Sequence, residues 1–574
     1  MTQSRLGVDT STLDASDPYV RERQTFPTLN DEQIERVKAF GKIEDLKKGT
    51  VLFERGDRTV DFFLLLKGNI EIYEHTRDGV NVFTVHGYHQ FTGELDLFND
   101  RQILVGGRMG EDGTVVRVCR ENFQKMMTAE PEIGEIITRA FILRRVGLIS
   151  HRQGSVTLLT MGQNADTMRL ERFIRRNGYP IDILNCADEN CEEIFARYNI
   201  DETKLPAVLI HLGDRIVVNP TNYELATALG LVEEIDEGDI YDVTIVGGGP
   251  SGLSAAVYAA SEGLKTLLIE NEAPGGQAST SSKIENYLGF PTGVSGQALA
   301  GRAQVQAMKF GAKILLPYKV TEIEKFYDEK LFQISLCSKV RVRSKAVVIA
   351  TGAKYRSLNL ENAHSFDNAG VYYAATAMEG GLCANEEVIV VGGGNSAGQA
   401  AVFLSGHAKH VHMLVRRDGL KDTMSEYLID RINSSPRITL HAHTEITALH
   451  GDENHLEKVE WTTKGEAPET RDIRHVFLMI GASANTDWLG KCFALNDKGF
   501  VCTGRQVPDE QWDEERPPMM METSAPGIFA VGDVRAGSTK RVASGVGEGS
   551  ICISQVHQYL AMRNAEEEEK KAAA

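Results

Sequence analysis

The chain has 574 residues, a formal net charge of −18 and 42% hydrophobic residues, enough for about four domains with buried cores. The acidic balance disfavours nucleic acid and anionic membranes as partners. No apolar run approaches the length of a bilayer span, and the polar start lacks a signal-peptide core. Eight dispersed cysteines without C-x-x-C or zinc spacing suit reduced thiols in a cytoplasmic protein better than a disulfide framework.

Residues 1–30 are rich in Ser, Thr, Asp and Arg and read as a disordered N-terminus. Residues 31–150 read as a β-roll. Short apolar strands are punctuated by turn glycines in 47–57 and 62–74, and 121–149 has helical periodicity. Gly49, Gly56, Asp57, Gly68 and the FTGEL of 91–95 give this stretch a resemblance to the cyclic-nucleotide-binding domain family. The resemblance implies that Gly93 and Glu94 open a phosphate-binding cassette, with the glutamate on the ribose and a later arginine on the cyclic phosphate. Ile103 stands at the arginine's place. A buried phosphate needs a charge-assisted partner, and Arg101 and Arg108 are the nearby substitutes. Three readings stay open: a degenerate roll kept for interaction or dimerisation, a binder of some other, nucleotide-like effector, and a cyclic AMP or GMP sensor.

Residues 155–232 read as strand (156–160), helix (167–177), strand (181–185), helix (192–198) and a strand (207–210) preceded by Leu205 and Pro206. This order resembles the thioredoxin and glutaredoxin family, which implies a cis proline at Pro206 beside redox cysteines. The loop of 161–166, MGQNAD, has no cysteine, which excludes dithiol exchange at the family's usual position. Cys186 and Cys191 are expected to be unpaired small residues, and the domain a docking or spacer module. The acidic stretch 233–239 reads as an exposed linker.

Beyond that linker, residues 241–270 read as strand, turn, helix and strand. Gly247, Gly249 and Gly252 form G-x-G-x-x-G. The first glycine permits the tight turn, the second lets a pyrophosphate approach the backbone, and the third lets the helix pack close. Glu270 ends the second strand, placed to accept hydrogen bonds from a ribose hydroxyl pair, and the helix N-terminus faces the anion. The runs PGGQ (274–277), IENYLGFP (284–291), VVIATGA (347–353) and GIFAVGDV (527–534) follow, then Lys540, Arg541, Val542 and GVGEGS (545–550). In this order they resemble the low-molecular-weight thioredoxin reductases. The resemblance implies FAD held by Gly276, Gln277, Asn286, Thr351 and Gly352 as well as the first turn. It places Asp533 on the ribityl chain and Arg541 and Val542 near the isoalloxazine, and it implies a homodimer.

A second turn, G-x-G-x-x-A with Asn395 and Ser396 inside it, runs from Gly392 through Gly394 to Ala397, between a strand (387–391) and a helix (398–405). Where the first unit has Glu270, the second has Val415 followed by Arg416 and Arg417. Exchanging a carboxylate for two guanidinium groups suits a 2′-phosphate, and so NADPH rather than NADH.

In the resembled reductases a cysteine pair lies near the start of the inserted nucleotide domain. The matching run, GVYYAATAMEG (370–380), has Ala374 and Ala377 at the cysteine places, Met378 at that of a proton-donating aspartate, and Glu379 beside it. Alanine has no redox chemistry, so the catalytic residue is left unassigned. The expectation is an NADPH-dependent flavoenzyme that lacks the redox pair and passes electrons to oxygen, a quinone or a ferredoxin-type protein. Two alternatives accompany it: relocated thiol chemistry, with Cys383 as a candidate and a thioredoxin-type acceptor, and a flavin- or NADPH-loaded sensor. No metal is expected. The expected fold is multidomain: a β-roll (31–150), a thioredoxin-like α/β domain (155–232), and two Rossmann-type α/β domains, the FAD-binding one (241–355 and 480–562) split by the NADPH-binding one (356–479).

Overall fold

The computed structural model describes residues 17–573 except 59, 77–78, 94, 99–100, 163, 188–190, 211–214, 234, 282, 327–330, 338–339, 361, 368, 452–454 and 491–492. It divides into two compact units. One comprises Met1–Gly162, Leu170–Asp236 and Val305–Tyr318; the other comprises Gln163–Arg169, Glu237–Gln304 and Lys319–Ala574. Among the described residues no helix is long and apolar enough to cross a membrane.

The first unit corrects the expectation of disorder over 1–30 in its described part. Asp17 caps the turn Pro18–Arg21 by accepting the Tyr19 N–H at 2.8 Å, and Tyr19, Phe26 and Leu29 are buried. Seven antiparallel strands then build the roll as two sheets. Lys42–Leu46, Gly113–Val118 and Phe62–Lys67 form one; Val51–Phe53, Gly106–Met109, Ile70–Thr76 and Gly79–His86 form the other. Phe62–Lys67 is apolar on both faces because its first four residues are all buried. Gly68, at φ +88°, makes the turn out of it, where a Cβ would stand 3.0 Å from the Asp112 carbonyl. Two helices, Arg120–Ala129 and Pro131–Ser150, follow, the second opened by a proline whose missing N–H costs nothing in the first turn.

The same unit contains a four-stranded sheet in the order Arg215–Val218, Ala207–Ile210, Val156–Thr160, Ile181–Asn185. The last two strands are parallel and the other pairings antiparallel. Helices Ala165–Arg176 and Glu192–Tyr198 connect its strands, and Asn222–Ala228 follows them. Phe53, Ile103 and Leu148 of the roll share one core with Val156, Leu158 and Val208 of this sheet. Roll and sheet therefore pack as one body.

In the second unit a sheet runs Thr266–Ile269, Ile240–Val246, Arg341–Ile349, Leu331–Leu336, Val320–Phe326. The long strand Arg341–Ile349 serves two partners on one side: Arg341 to Ser344 pair antiparallel with Ser335 to Phe332, and Val347 to Ile349 pair parallel with Ile528–Ala530. Helices Pro250–Ser261 and Val542–Ala573 lie close because both present small residues. A Cβ at Gly549 would stand 2.9 Å from the Ser254 Cβ. The chain leaves this layer along Ala353–Tyr355 and returns along Ala482–Ala484, the two segments pairing antiparallel. Between them lies a parallel sheet ordered Val371–Tyr372, His475–Leu478, Glu387–Val391, His410–Leu414, Ile438–His441. An antiparallel sheet of Thr444–Gly451, Leu456–Thr463 and Glu469–Arg471 completes it.

Candidate active site

In the first glycine turn the three glycines meet three different demands. Gly247 takes φ +108°, and a Cβ on it would run into the Ala350 carbonyl. A Cβ on Gly252 would collide with the Gly247 carbonyl oxygen, so that glycine sets how closely the helix Pro250–Ser261 follows the strand. Gly249 has nothing within 4 Å of its Cβ direction, which leaves the open approach that a pyrophosphate needs at a helix N-terminus. Glu270, just beyond Thr266–Ile269, accepts the Gly248 N–H at 2.6 Å and the Glu272 N–H at 3.0 Å. Its carboxylate is thereby locked beside the turn.

The other flavin-side candidates gather around this turn from distant parts of the sequence. Gly275 donates to the Gly248 carbonyl at 2.7 Å, and Gly276, at φ +52°, comes so close that a Cβ would lie 3.0 Å from the Gly249 Cα. Gln277 donates to the Ala353 carbonyl. The Thr351 hydroxyl donates to the Asn485 carbonyl at 3.0 Å, and Gly352 takes φ +66° beside it. Gly532 has no room for a side chain because of the Ser251 hydroxyl, and its N–H is held by Glu548 at 2.6 Å, whose other oxygen accepts Arg535 at 2.6 Å. This pair, with Glu548 buried and Arg535 half-buried, positions the residue after Gly532, Asp533. Burial raises the Asp533 carboxyl pKa against the opposing pull of Lys540. Lys540 donates to the Asp533 carbonyl and lies 4.3 Å from the Phe500 ring centre. Asn286 and Arg541 are exposed, and Val542 begins the last helix. The Glu548, Arg535 and Ser251 roles were missed in the sequence because each depends on tertiary neighbours.

The second turn repeats the plan with other side chains. Gly392, at φ +138°, leaves no room for a Cβ against the Met479 carbonyl, and Gly394 opens the helix Asn395–Leu404. The Asn395 side-chain oxygen Oδ1 accepts the Ser425 N–H at 2.7 Å; Ser396 is exposed. Arg416 and Arg417 are exposed just past His410–Leu414, with Arg416 Nε 3.7 Å from Glu445. Two surface cations at the end of this strand fit a 2′-phosphate.

The cysteines overturn an expectation. Cys186 and Cys191, read as unpaired residues of a chain without a redox pair, are joined in a disulfide with a Cα separation of 5.5 Å. Ala374 and Ala377 remain alanines, but the inference that the chain lacks a redox-active pair fails, and with it the reading of a non-thiol acceptor. Cys186 follows Ile181–Asn185 and donates its N–H to the Thr160 carbonyl at 2.7 Å; Cys191 opens Glu192–Tyr198. Because Ala207 pairs with Leu159, Pro206, after a cis peptide bond, lies level with Thr160. The disulfide and this proline thus lie at the same end of the sheet, on the two strands that flank Val156–Thr160. Cys191 is buried, whereas Cys186 is half-buried. Cys383 is fully buried and its thiol is pushed up to about 11, chiefly by burial. Tyr372 and Tyr373, beside Ala374, hydrogen-bond to His475 at 3.3 Å and Asp367 at 2.7 Å respectively.

In the roll, Gly93 takes φ +113°, with Phe141 2.8 Å from where its Cβ would be; Glu94 lies outside the described residues. Arg108 pairs with Glu71 at 2.8 Å, and Arg101 is buried, but neither lines the roll's cavity. Arg144 does, from the helix Pro131–Ser150.

Residues 241–549 match the family model for pyridine nucleotide-disulphide oxidoreductases, and residues 43–130 match that for the cyclic nucleotide-binding domain. The chain is 31% identical over 325 residues to the thioredoxin reductase of Listeria monocytogenes, covering 56% of this chain and 95% of that protein. It is 30% identical over 328 residues to that of Bacillus subtilis, covering 57% and 96%. The crystal structure of Lactococcus lactis thioredoxin reductase aligns with a TM-score of 0.50 at 28% identity, covering 56% of this chain and 99% of that one. A low-molecular-weight thioredoxin-reductase-like part, with FAD and NADPH as its cofactors, is therefore fused to an N-terminal cyclic-nucleotide-binding-like domain. With the match spanning more than half its length, the chain belongs to the pyridine nucleotide-disulphide oxidoreductase family, as an FAD-dependent NAD(P)H oxidoreductase.

Proposed function

We propose that this chain is a thiol–disulfide oxidoreductase in which electrons from NADPH reach the Cys186–Cys191 disulfide and pass from it to a disulfide substrate. The observation that carries this reading is the disulfide itself, in a chain with alanines at both resembled cysteine positions. The sheet around it, with Val156–Thr160 flanked by a parallel and an antiparallel strand and the cis proline Pro206 at the same end of the sheet as the cysteines, supports a thioredoxin-like domain over 155–232. The flavin domain of 241–355 and 480–562 and the nucleotide domain of 356–479 would then supply its electrons.

Bound in its cradle, FAD supplies two-electron transfer between the nicotinamide and a thiol couple. The balance is one hydride from NADPH and one proton, which convert the S–S bond to two thiols and release NADP+. Cys186, the more exposed residue of the two, then attacks the substrate disulfide as thiolate, and Cys191 resolves the mixed disulfide, restoring its bond to Cys186 and releasing the reduced substrate. Glu270 orients the flavin nucleotide's ribose, and Arg416 and Arg417 select the 2′-phosphate of NADPH. A cytoplasmic homodimer belongs to the same reading.

Anaerobic titration of the FAD-loaded protein with NADPH tests it. Two equivalents per flavin are expected in the unsubstituted chain and one in Cys186→Ser. A single equivalent in the unsubstituted chain overturns the proposal.

A further inference from the structure

The β-roll holds a partly open cavity, in which the centre of a water-sized sphere is free over ≈ 50 Å³, walled largely by Phe26, Phe53, Val60, Phe83, Ile103 and Leu148. Besides Tyr19 and Arg144, two polar residues face it. Thr84 and His86 stand two apart on Gly79–His86, so their side chains share one face of the strand. They are only 4% and 3% exposed, and Thr84 Oγ1 and His86 Nδ1 have no hydrogen-bond partner among the described residues. Buried polar atoms are normally satisfied. The walls, by contrast, ask for an apolar body.

The cavity is poorly equipped for a cyclic phosphate. Ile103 occupies the cassette arginine's place. Arg144, the cation lining the cavity, donates to the Thr25 carbonyl at 2.9 Å and to those of Phe91 and Gly93 at 3.0 Å each. A phosphate would have to draw it away from these bonds, which tie the helix Pro131–Ser150 to the N-terminal segment and the cassette.

We propose that the cavity binds a small uncharged molecule that is apolar over most of its surface and carries one hydrogen-bonding group, which Thr84 and His86 hold. Burial, seconded by the charge of Arg144, depresses the His86 imidazole far below its ordinary value, so it meets the ligand neutral. The site is independent of the redox reading.

The test is a ligand-observed NMR titration of the FAD-loaded full chain with benzyl alcohol, toluene and cyclic AMP. Benzyl alcohol should bind and toluene, which lacks the hydroxyl, bind roughly fivefold more weakly; cyclic AMP should give no saturable signal. Thr84→Val, which keeps the side chain's shape, should bring the alcohol down by about the same factor while leaving toluene unchanged or tighter. The wild-type comparison stands without any variant. Failure of benzyl alcohol to bind would mean a cavity that holds water only, and it overturns the proposal. Equal binding of toluene, or cyclic AMP binding tighter than the alcohol, overturns it as well.

Discussion

Cys383 and the Cys186–Cys191 pair occupy opposite kinds of environment. Cys383 follows the short helix Ala377–Leu382, packs with Val388, Leu404 and Val411, and directs its sulfur to the Gly380 carbonyl at 3.6 Å. Burial raises its pKa, and the nearby carboxylates of Glu386 and Glu379 add to the effect. Thiolate is what attacks disulfides, so this position suppresses the reactive form. Cys186 sits instead where a strand ends and the chain turns, half-buried and already bonded to its partner. Proximity in sequence to the alanines at 374 and 377 is thus a poor guide to redox function. On the proposed thiol–disulfide reading, a strand end that brings two sulfurs together is a better one.

The sharpest way to break this contrast is substitution at the two places. Cys186→Ser should lower NADPH consumption with a disulfide substrate by at least about 100-fold, since it removes the attacking sulfur, as read by steady-state absorbance at saturating NADPH. Cys383→Ala should leave that rate within about twofold while costing about 1–2 kcal/mol in urea unfolding, the consequence of a small void in a packed core. Equal losses from both substitutions would erase the distinction. The pH dependence sharpens it further. The folded Cys383 thiol titrates at about 11 rather than 9, so the native state holds its proton longer than the unfolded chain. That stabilising component is complete below pH 9 and is lost as pH rises toward 11, amounting to about 2–3 kcal/mol. Unfolding curves of wild type and Cys383→Ala should therefore converge over that range and cross toward pH 11, and parallel curves would place the thiol in a wetter site.

What could be read from the sequence divides along the range of the forces involved. The strand, turn and helix around Gly247, Gly249 and Gly252 are local, because a positive φ at Gly247 and the contact of Gly252 with the Gly247 carbonyl arise within six residues. The Cys186–Cys191 bond is not local in cause. Its 5.5 Å Cα separation follows a strand whose register is set against Val156–Thr160, and the spacing of the two cysteines matches no familiar motif. The N-terminal segment misled for a different reason. Its composition is polar, yet Tyr19 and Phe26 bury themselves against each other and near His151 and His86. Composition measures how much apolar surface a segment has, not whether a surface elsewhere receives it. Thr84 and His86 were invisible for the same reason, since only closure of the roll makes them face a cavity.

The smallest expected effect concerns Glu379, the acid next to Met378, at whose place the resemblance to the reductases implies a proton donor. It is 1% exposed, and one carboxylate oxygen accepts both the Thr376 N–H, at 3.0 Å, and the Thr376 hydroxyl. These bonds close the first turn of Ala377–Leu382 much as a helix cap does. Glu379→Gln preserves one carbonyl acceptor in nearly the same shape. It should cost about 0.5–1 kcal/mol of stability, in the range of a weakened cap, and change disulfide-dependent turnover by less than about twofold. If Glu379 instead supplied protons to the redox reaction, the variant would lose turnover at least about tenfold and shift the rate's pH profile with stability nearly unchanged. That result would return chemistry to the 370–380 run and assign the Cys186–Cys191 pair a later place in the electron path.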